Sequence, residues 1–291
     1  LTRFAIESAP RGYQGGITFA LVATLGTMQL FFGYVENYTL ITLGMMVYLW
    51  LAWRCLAGRL TPLWPAIVLA ITHGLHPSTI VLAPSLVYLG WVWARQAERR
   101  RYGSALWRIV LPMLLVAGGV ILLMEAGGHG LNYLFGEDRP GGGDGRWFVP
   151  LFETTTRWEH YTMFSWGHLV DILNEQLLTA PVVLPALALL AAMAWTRVRE
   201  TSHWTRLLLL ASGCYLLFTW TWNPDYGGQR DWDLFAPAAV PLALLLADRL
   251  MAALPEAEAY VQVGIGLVAA QAFHTIAWIY QNTQPWSWPQ G

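Results

Sequence analysis

The sequence predicts an all-α, polytopic transmembrane bundle of about nine crossings, with one large extracytoplasmic loop. Three observations predict it: an apolar composition, apolar stretches of bilayer length, and arginines gathered in particular loops. Of 291 residues, 56% are hydrophobic and 12% charged, about half the charged fraction of a soluble domain. Lysine is absent, so arginine supplies all 17 basic residues. The net charge of −1 gives no bulk attraction to nucleic acid. Cys55 and Cys214 stand singly in apolar segments and suggest neither a disulfide framework nor a metal cluster. The chain starts at Leu1 with no readable signal peptide. It reads as a single transmembrane domain over 1–291, a fragment lacking an N-terminal part.

A helix crosses the hydrocarbon core in about 20 residues. Apolar segments of that kind run over 16–33, 38–53, 107–124, 178–196, 205–222 and 259–280, and a seventh over 232–251. The stretch 62–94 is longer than one crossing and is interrupted by His73-Gly74-Leu75-His76-Pro77-Ser78. Pro77 removes a backbone donor and disfavours helix at the residue before it. Two short helices meeting near His76, or a re-entrant pair, are therefore expected there.

Arginine placement orients the chain. Arg54 and Arg59 share one short loop, Arg95 to Arg108 another, and Arg197, Arg199 and Arg206 a third. With these inside, only Arg139, Arg146, Arg157 and Arg230 fall outside. The first two loops flank 62–94, so that stretch must return to the side from which it started. The N-terminus is then inside, and 34–37, 125–177 and 223–231 are outside, as expected of a multi-pass protein of a bacterial inner membrane. The loop 125–177 holds the glycine run Gly141 to Gly145, which lacks a P-loop ending and reads as a linker. Its later part, Trp166 to Leu178, reads as an amphipathic helix on the membrane surface.

Three outward segments carry chemistry. Gly33-Tyr34-Val35-Glu36-Asn37-Tyr38 is a turn of few residues that holds Glu36 and Tyr38 at the membrane surface. There Glu36 can act as a base, bind a cation or cap the next helix. His73 and His76, at i and i+3, share a helical face if the helix continues. They can donate to phosphate or sugar, and a divalent metal is compatible with them, though no local third ligand appears. Asn223 to Phe235 (NPDYGGQRDWDLF) ends in Arg230, Asp231, Trp232 and Asp233 at the entrance of an apolar helix. The acids can cap that helix, whereas Arg230 offers a planar fork suited to phosphate or carboxylate. Arg157, Glu159 and His160 in the outer loop form a less specific cluster, either solvated loop or substrate wall. The expected site thus has Glu36, Asp231 and Asp233 as catalytic acids, with Tyr38, His73, His76, Arg157, Glu159, His160 and Arg230 binding substrate.

Gly33–Tyr38, Ala70–Trp91 (AITHGLHPSTIVLAPSLVYLGW) and Arg230–Pro237 (RDWDLFAP) together resemble the membrane glycosyltransferases of the GT-C superfamily. The resemblance is to a bacterial branch related to protein O-mannosyltransferases, and it runs over most of the chain. It implies a polyprenyl-phosphate sugar donor and transfer to a glycan, lipid or protein acceptor on the extracytoplasmic face, usually with inversion. Such enzymes keep a catalytic acid in the first outer loop, after the first crossing. No such motif precedes residue 16 and Glu36 belongs to a different element, so the resemblance does not assign Glu36 as that acid. It implies that the loop lies in a missing N-terminal part or that the chain is not active alone. The competing class is a transporter or flippase for a lipid-linked or anionic substrate. It would place ionisable residues near the bilayer middle, yet 107–124 and 178–196 are uncharged apart from Arg108. A third, non-catalytic scaffold would leave the polar cluster at 223–233 without a reason.

Overall fold

A computed structural model describes residues 1–32, 36–96, 101–130, 147–156, 159–194, 196, 199–224 and 231–284. The helices are α1 (Thr2–Ser8), α2 (Gly12–Ala23), α3 (Tyr38–Leu56), α4 (Leu63–Leu75), α5 (Ala83–Gln96) and α6 (Tyr102–Ala126). They continue as α7 (Trp166–Thr179), α8 (Val183–Met193), α9 (His203–Thr221), α10 (Trp232–Phe235), α11 (Ala239–Ala253) and α12 (Ala257–Asn282). Short 3-10 segments fill Gly26–Phe31, Pro77–Leu82 and Ala236–Ala238. Among the described residues the only extended pairing is an isolated bridge between Phe148 and Trp222.

Among these, five helices are long and apolar enough to cross a membrane: Tyr38–Leu56, Pro77–Gln96, Tyr102–Ala126, Trp232–Ala253 and Ala257–Asn282. A sixth span arises if α7 and α8, bent by 100° at their junction, are counted as one. Burial separates their roles. In Trp232–Ala253, 83% of the apolar window is buried, against 6% in Tyr102–Ala126. The first is the central strut, and the second is apolar on faces that no other helix covers among the described residues, as a lipid-facing helix is.

The stretch 62–94 breaks where Pro77 predicts. Helix α4 stops at Leu75, and His76 is extended, with φ −158° and ψ 129°. The direction of the chain on either side follows from glycine contacts. Gly44, early in α3, lies against Thr72, late in α4, so these two helices are antiparallel. Gly74 faces Val116 and Val120 of α6, whereas Gly90 faces Ala105 and Ile109. Descending α6 from 120 to 105 covers about 22 Å at 1.5 Å per residue. The reversal itself is seen against α3. Asn37 at its start bonds Leu75 O, whereas Tyr48, about three turns further along, meets Ser85 of α5 at 2.6 Å, so after His76 the chain runs back along α3.

Expected crossings differ at 16–33, 178–196 and 205–222; over the last, α9 has the length of a crossing but is not among the helices apolar enough to be one. In place of a continuous helix over 16–33, α2 ends at Ala23 and a 3-10 segment follows. The groups that make this ending tolerable come from α12. Gln271 Nε2 donates to Leu21 O at 2.6 Å and to Thr24 Oγ1 at 3.1 Å, and Thr275 Oγ1 donates to Thr24 O at 2.7 Å. Carbonyls released by a helix end inside an apolar bundle need such donors. Gln271→Leu should therefore lower stability by about 1–2 kcal/mol, read as a fall in the unfolding midpoint of the detergent-solubilised protein. In place of a crossing over 178–196, α8 holds only 11 residues, Val183–Met193. Pro181 separates it from α7.

Arginines mark one end of the bundle. Glu7 pairs with Arg3 at 2.9 Å and Arg54 at 3.6 Å. Arg54 lies over Trp50, Arg59 over Trp53, Arg95 over Trp91, and Arg108 over Trp93 and Trp107. Tyr88 of α5 meets His203 of α9 at 2.9 Å, and Arg249 Nη1 donates to Glu200 O at 2.9 Å. The loops expected inside thus share one end, and Glu36, His76 and Asp231 belong to the other.

Candidate functional site

The site at the opposite end is built by three short turns. Asn37 fixes the first to the second, since its Nδ2 donates to Leu75 O at 2.8 Å. This places Tyr38 against His76, with ring centroids 5.3 Å apart. The third turn delivers Asp231 and Asp233 at the start of the central strut. The Asp233 carboxylate acts electrostatically on Glu36, Tyr38 and His76, and Asp231 acts on Tyr38. Five of the residues expected at the site, Glu36, Tyr38, His76, Asp231 and Asp233, are thereby brought together.

Helix capping accounts for Asp233, which lies in the first turn of α10, better than for Glu36 or Asp231. Helix α3 has Asn37 at its N-cap position with no side-chain capping bond, and no acid lies in its first turn. Asp231 stands at the N-cap position of α10, yet its side chain makes no capping bond. Asp233 is 5% exposed, and its Oδ1 accepts from Leu234 N at 3.0 Å. Glu36 is exposed, and its carboxyl is held above the usual range, first by desolvation and then by the Asp233 charge.

The histidines differ from expectation. Because α4 ends at Leu75, His73 and His76 do not continue one helical face. Each instead anchors the 3-10 turn that follows. His76 Nδ1 accepts from Ser78 N at 3.2 Å, and His73 Nδ1 meets Thr79 Oγ1 at 2.7 Å. Acceptance at Nδ1 leaves the proton of neutral His76 on Nε2. Among the described residues, no group of three His, Cys, Asp or Glu residues is placed to hold a metal ion. His73 Nε2 is buried without a partner among the described residues.

Of the outer-loop residues, Glu159 is 7% exposed and fastens its own turn. Its Oε2 accepts from Thr155 N, from Thr155 Oγ1 at 3.0 Å and from Thr156 N at 3.0 Å. His160 is exposed beside Tyr161, with ring centroids 6.3 Å apart. Arg157 and Arg230 lie outside the described residues, as do Gly33–Val35 and the glycine run 141–145.

Sequence reasoning missed α7 as a source of site residues. The helix forms over Trp166–Thr179 as expected, but its polar face points into the protein. His168, Asp171, Glu175, Gln176 and Thr179 are buried, whereas Trp166, Leu169 and Leu173 are exposed. An outward apolar face suits a helix lying along lipid. The inward face, with the loop before it and the C-terminal end of α9, lines a narrow recess. Tyr161, His168, Asp171, Glu175, Trp222 and Asn223 are among its walls. His168 Nε2 meets Trp220 O at 2.8 Å, which locks that ring. The spacing 168, 171, 175 and 179 was the available signal, because one face at helical period is wholly polar.

Burial, and then the charges of Asp171 and Asp231, push the Glu175 carboxyl up to about 9. The charge of the same Asp231 reaches Tyr38, which puts the recess within electrostatic reach of the acid cluster. The folded chain then holds a proton that the unfolded chain releases near 4.5. That stabilisation is complete below about 4.5 and is lost as pH rises towards 9. Glu175→Gln should flatten this slope and raise the unfolding midpoint at pH 8 while leaving it nearly unchanged at pH 4.5, as thermal scans at the two pH values would show.

Compared with known proteins, the chain matches no family model, no curated protein and no solved structure.

Proposed function

We propose that the protein is a membrane glycosyltransferase of the GT-C type, moving a sugar from a polyprenyl-phosphate donor to an acceptor at the extracytoplasmic face. One observation carries this reading: Glu36, Tyr38, His76, Asp231 and Asp233 meet at the arginine-poor end, beside a helix whose apolar face points outward. A lipid-linked substrate needs both an apolar approach and a polar reaction site at the membrane surface, and this end offers the two side by side.

In the step proposed, a carboxylate takes the proton of the acceptor hydroxyl. The acceptor oxygen then bonds to the sugar's anomeric carbon as the bond to the polyprenyl phosphate breaks, with inversion. Glu36 suits the base, since a carboxyl shifted towards the working pH transfers protons best. The buried Asp233 charge raises that basicity, and Ser78 N fixes the His76 ring. Neutral His76, with its proton on Nε2, can donate to the phosphate or to a sugar hydroxyl. Arg230, immediately before Asp231 in sequence, supplies the fork for the leaving phosphate. About nine crossings in a bacterial inner membrane, with the arginine end inside, complete the reading. Passage of a substrate through the bundle has less support, because 107–124 and 178–196 are uncharged apart from Arg108.

The test is turnover of polyprenyl-phosphate sugars carrying a labelled hexose, by the purified protein in lipid nanodiscs. Release of polyprenyl phosphate that Arg230→Lys slows by at least about tenfold supports the reading, since a point charge does not replace a fork. No release from any such donor, by protein that is folded and lipid-embedded, overturns it.

A further inference from the structure

We propose that the recess beneath α7 is a carbohydrate subsite, which takes one hydroxyl of an uncharged pyranose ring. The proposal rests on the transfer reading for the source of the sugar, but not for its chemistry. Burial divides the recess into a floor and a rim. His168, Asp171, Glu175 and Asn223 are buried at 4%, 8%, 5% and 4% exposure, whereas Tyr161 and Trp222 are half-buried. Polar groups at the floor and aromatic rings at the rim are what a sugar requires. Hydroxyls exchange paired hydrogen bonds with carboxyl and amide groups, and the C–H face of the ring packs on an aromatic plane.

A second observation points to a ligand. Glu175 Oε2 is buried and has no hydrogen-bond partner among the described residues, although its side chain lines the recess. A buried polar atom left unpaired is costly, and such an atom in a recess marks a place where a partner arrives. With its proton retained, Glu175 can donate as well as accept, which matches a hydroxyl better than a metal ion or a phosphate. The recess holds about 10 Å³, the room of one water-sized group, so one hydroxyl enters it and the ring itself stays at the aromatic rim. The Asp231 charge links this floor to the acid cluster, so a sugar held here stands within electrostatic reach of the groups proposed to act on it.

The experiment is saturation-transfer NMR on the full chain in nanodiscs, using methyl hexopyranosides and methyl N-acetylhexosaminides as probes. We expect at least one to bind at about millimolar strength. Glu175→Leu and Tyr161→Ala should each weaken binding about tenfold, the usual scale for one lost buried hydrogen bond or stacking face. Glu175→Gln, which keeps a donor and an acceptor, should stay within about threefold on the same scale. Tyr161 is half-buried, so its truncation provides a variant that keeps the fold should Glu175→Leu fail to do so. No saturable binding of any probe, or binding indifferent to both weakening variants, overturns the subsite. Displacement of the bound glycoside by the polyprenyl-phosphate hexose assigns the recess to the donor sugar, and its persistence assigns it to an acceptor glycan. Either result supports a sugar site. Donor turnover with glycoside binding indifferent to Glu175 and Tyr161 removes the subsite and leaves the transfer reading. Glycoside binding that follows the variants, without any turnover, removes the transfer reading and leaves the subsite.

Discussion

Gly26→Val is expected to abolish most of the folded yield. A Cβ at position 26 would collide with the carbonyl oxygen of Leu178 and lie 3.1 Å from both Leu178 C and Thr179 Cα. These are backbone atoms at the end of α7, so no side-chain rotation relieves the overlap. Either α7 moves away, with Glu175 and the recess, or the turn after α2 reopens. The cost is expected to exceed about 3 kcal/mol, the upper range for overpacking against a fixed partner. Gly213→Ala provides the control, since a Cβ there meets nothing within 4 Å and replaces a mid-helix glycine, with a gain of up to about 1 kcal/mol. Unfolding midpoints in one detergent read both. A Gly26→Val protein that melts with the wild type would show that α7 does not pack against the 3-10 segment.

Asp233→Asn is expected to reduce donor turnover by at least about 100-fold, the lower range for losing acid–base help in a transition state. Asp233 lies 5% exposed at the head of the central strut and is the charge felt by Glu36, Tyr38 and His76 alike. Asparagine keeps its volume and removes only that charge. The pH profile separates positioning from plain structural damage. Glu36 has a raised carboxyl, so activity should fall as pH drops through that raised value. Asp233→Asn should shift this acid limb to lower pH, because the neighbouring negative charge is gone. Turnover measured from pH 5 to 8 shows it, and an unmoved acid limb would take Asp233 out of contact with the base.

How much of this was legible in the sequence varies by element. The long apolar helices and the bend at His76 were legible because hydrophobic length and one proline decide them locally. The ending of α2 was not, because it depends on Gln271 and Thr275 donating across about 250 positions of chain. The shortness of α8 follows from Pro181, but apolar length alone overruled it. Helix α7 was placed correctly, yet its inward polar face was illegible, since periodicity tells which residues share a face and not what that face meets. At the site, Glu36, His76, Asp231 and Asp233 were legible as ionisable groups at outward turns. The division of labour was not, since His73, His76 and Glu159 bond to neighbouring turns whose geometry no spacing reveals.

The central claim is that Glu36 and Asp231 open onto one extracytoplasmic site, opposite the arginine end. Single cysteines at positions 36, 231 and 102, in a background with Cys55 and Cys214 replaced, test it most directly by labelling intact cells with an impermeant maleimide. The account predicts labelling at 36 and 231 from outside, none at 102 until the membrane is permeabilised, and cross-linking of a 36/231 pair by a short bifunctional thiol reagent. Labelling of 102 from outside, or a 36/231 pair that labels but never cross-links, would contradict it.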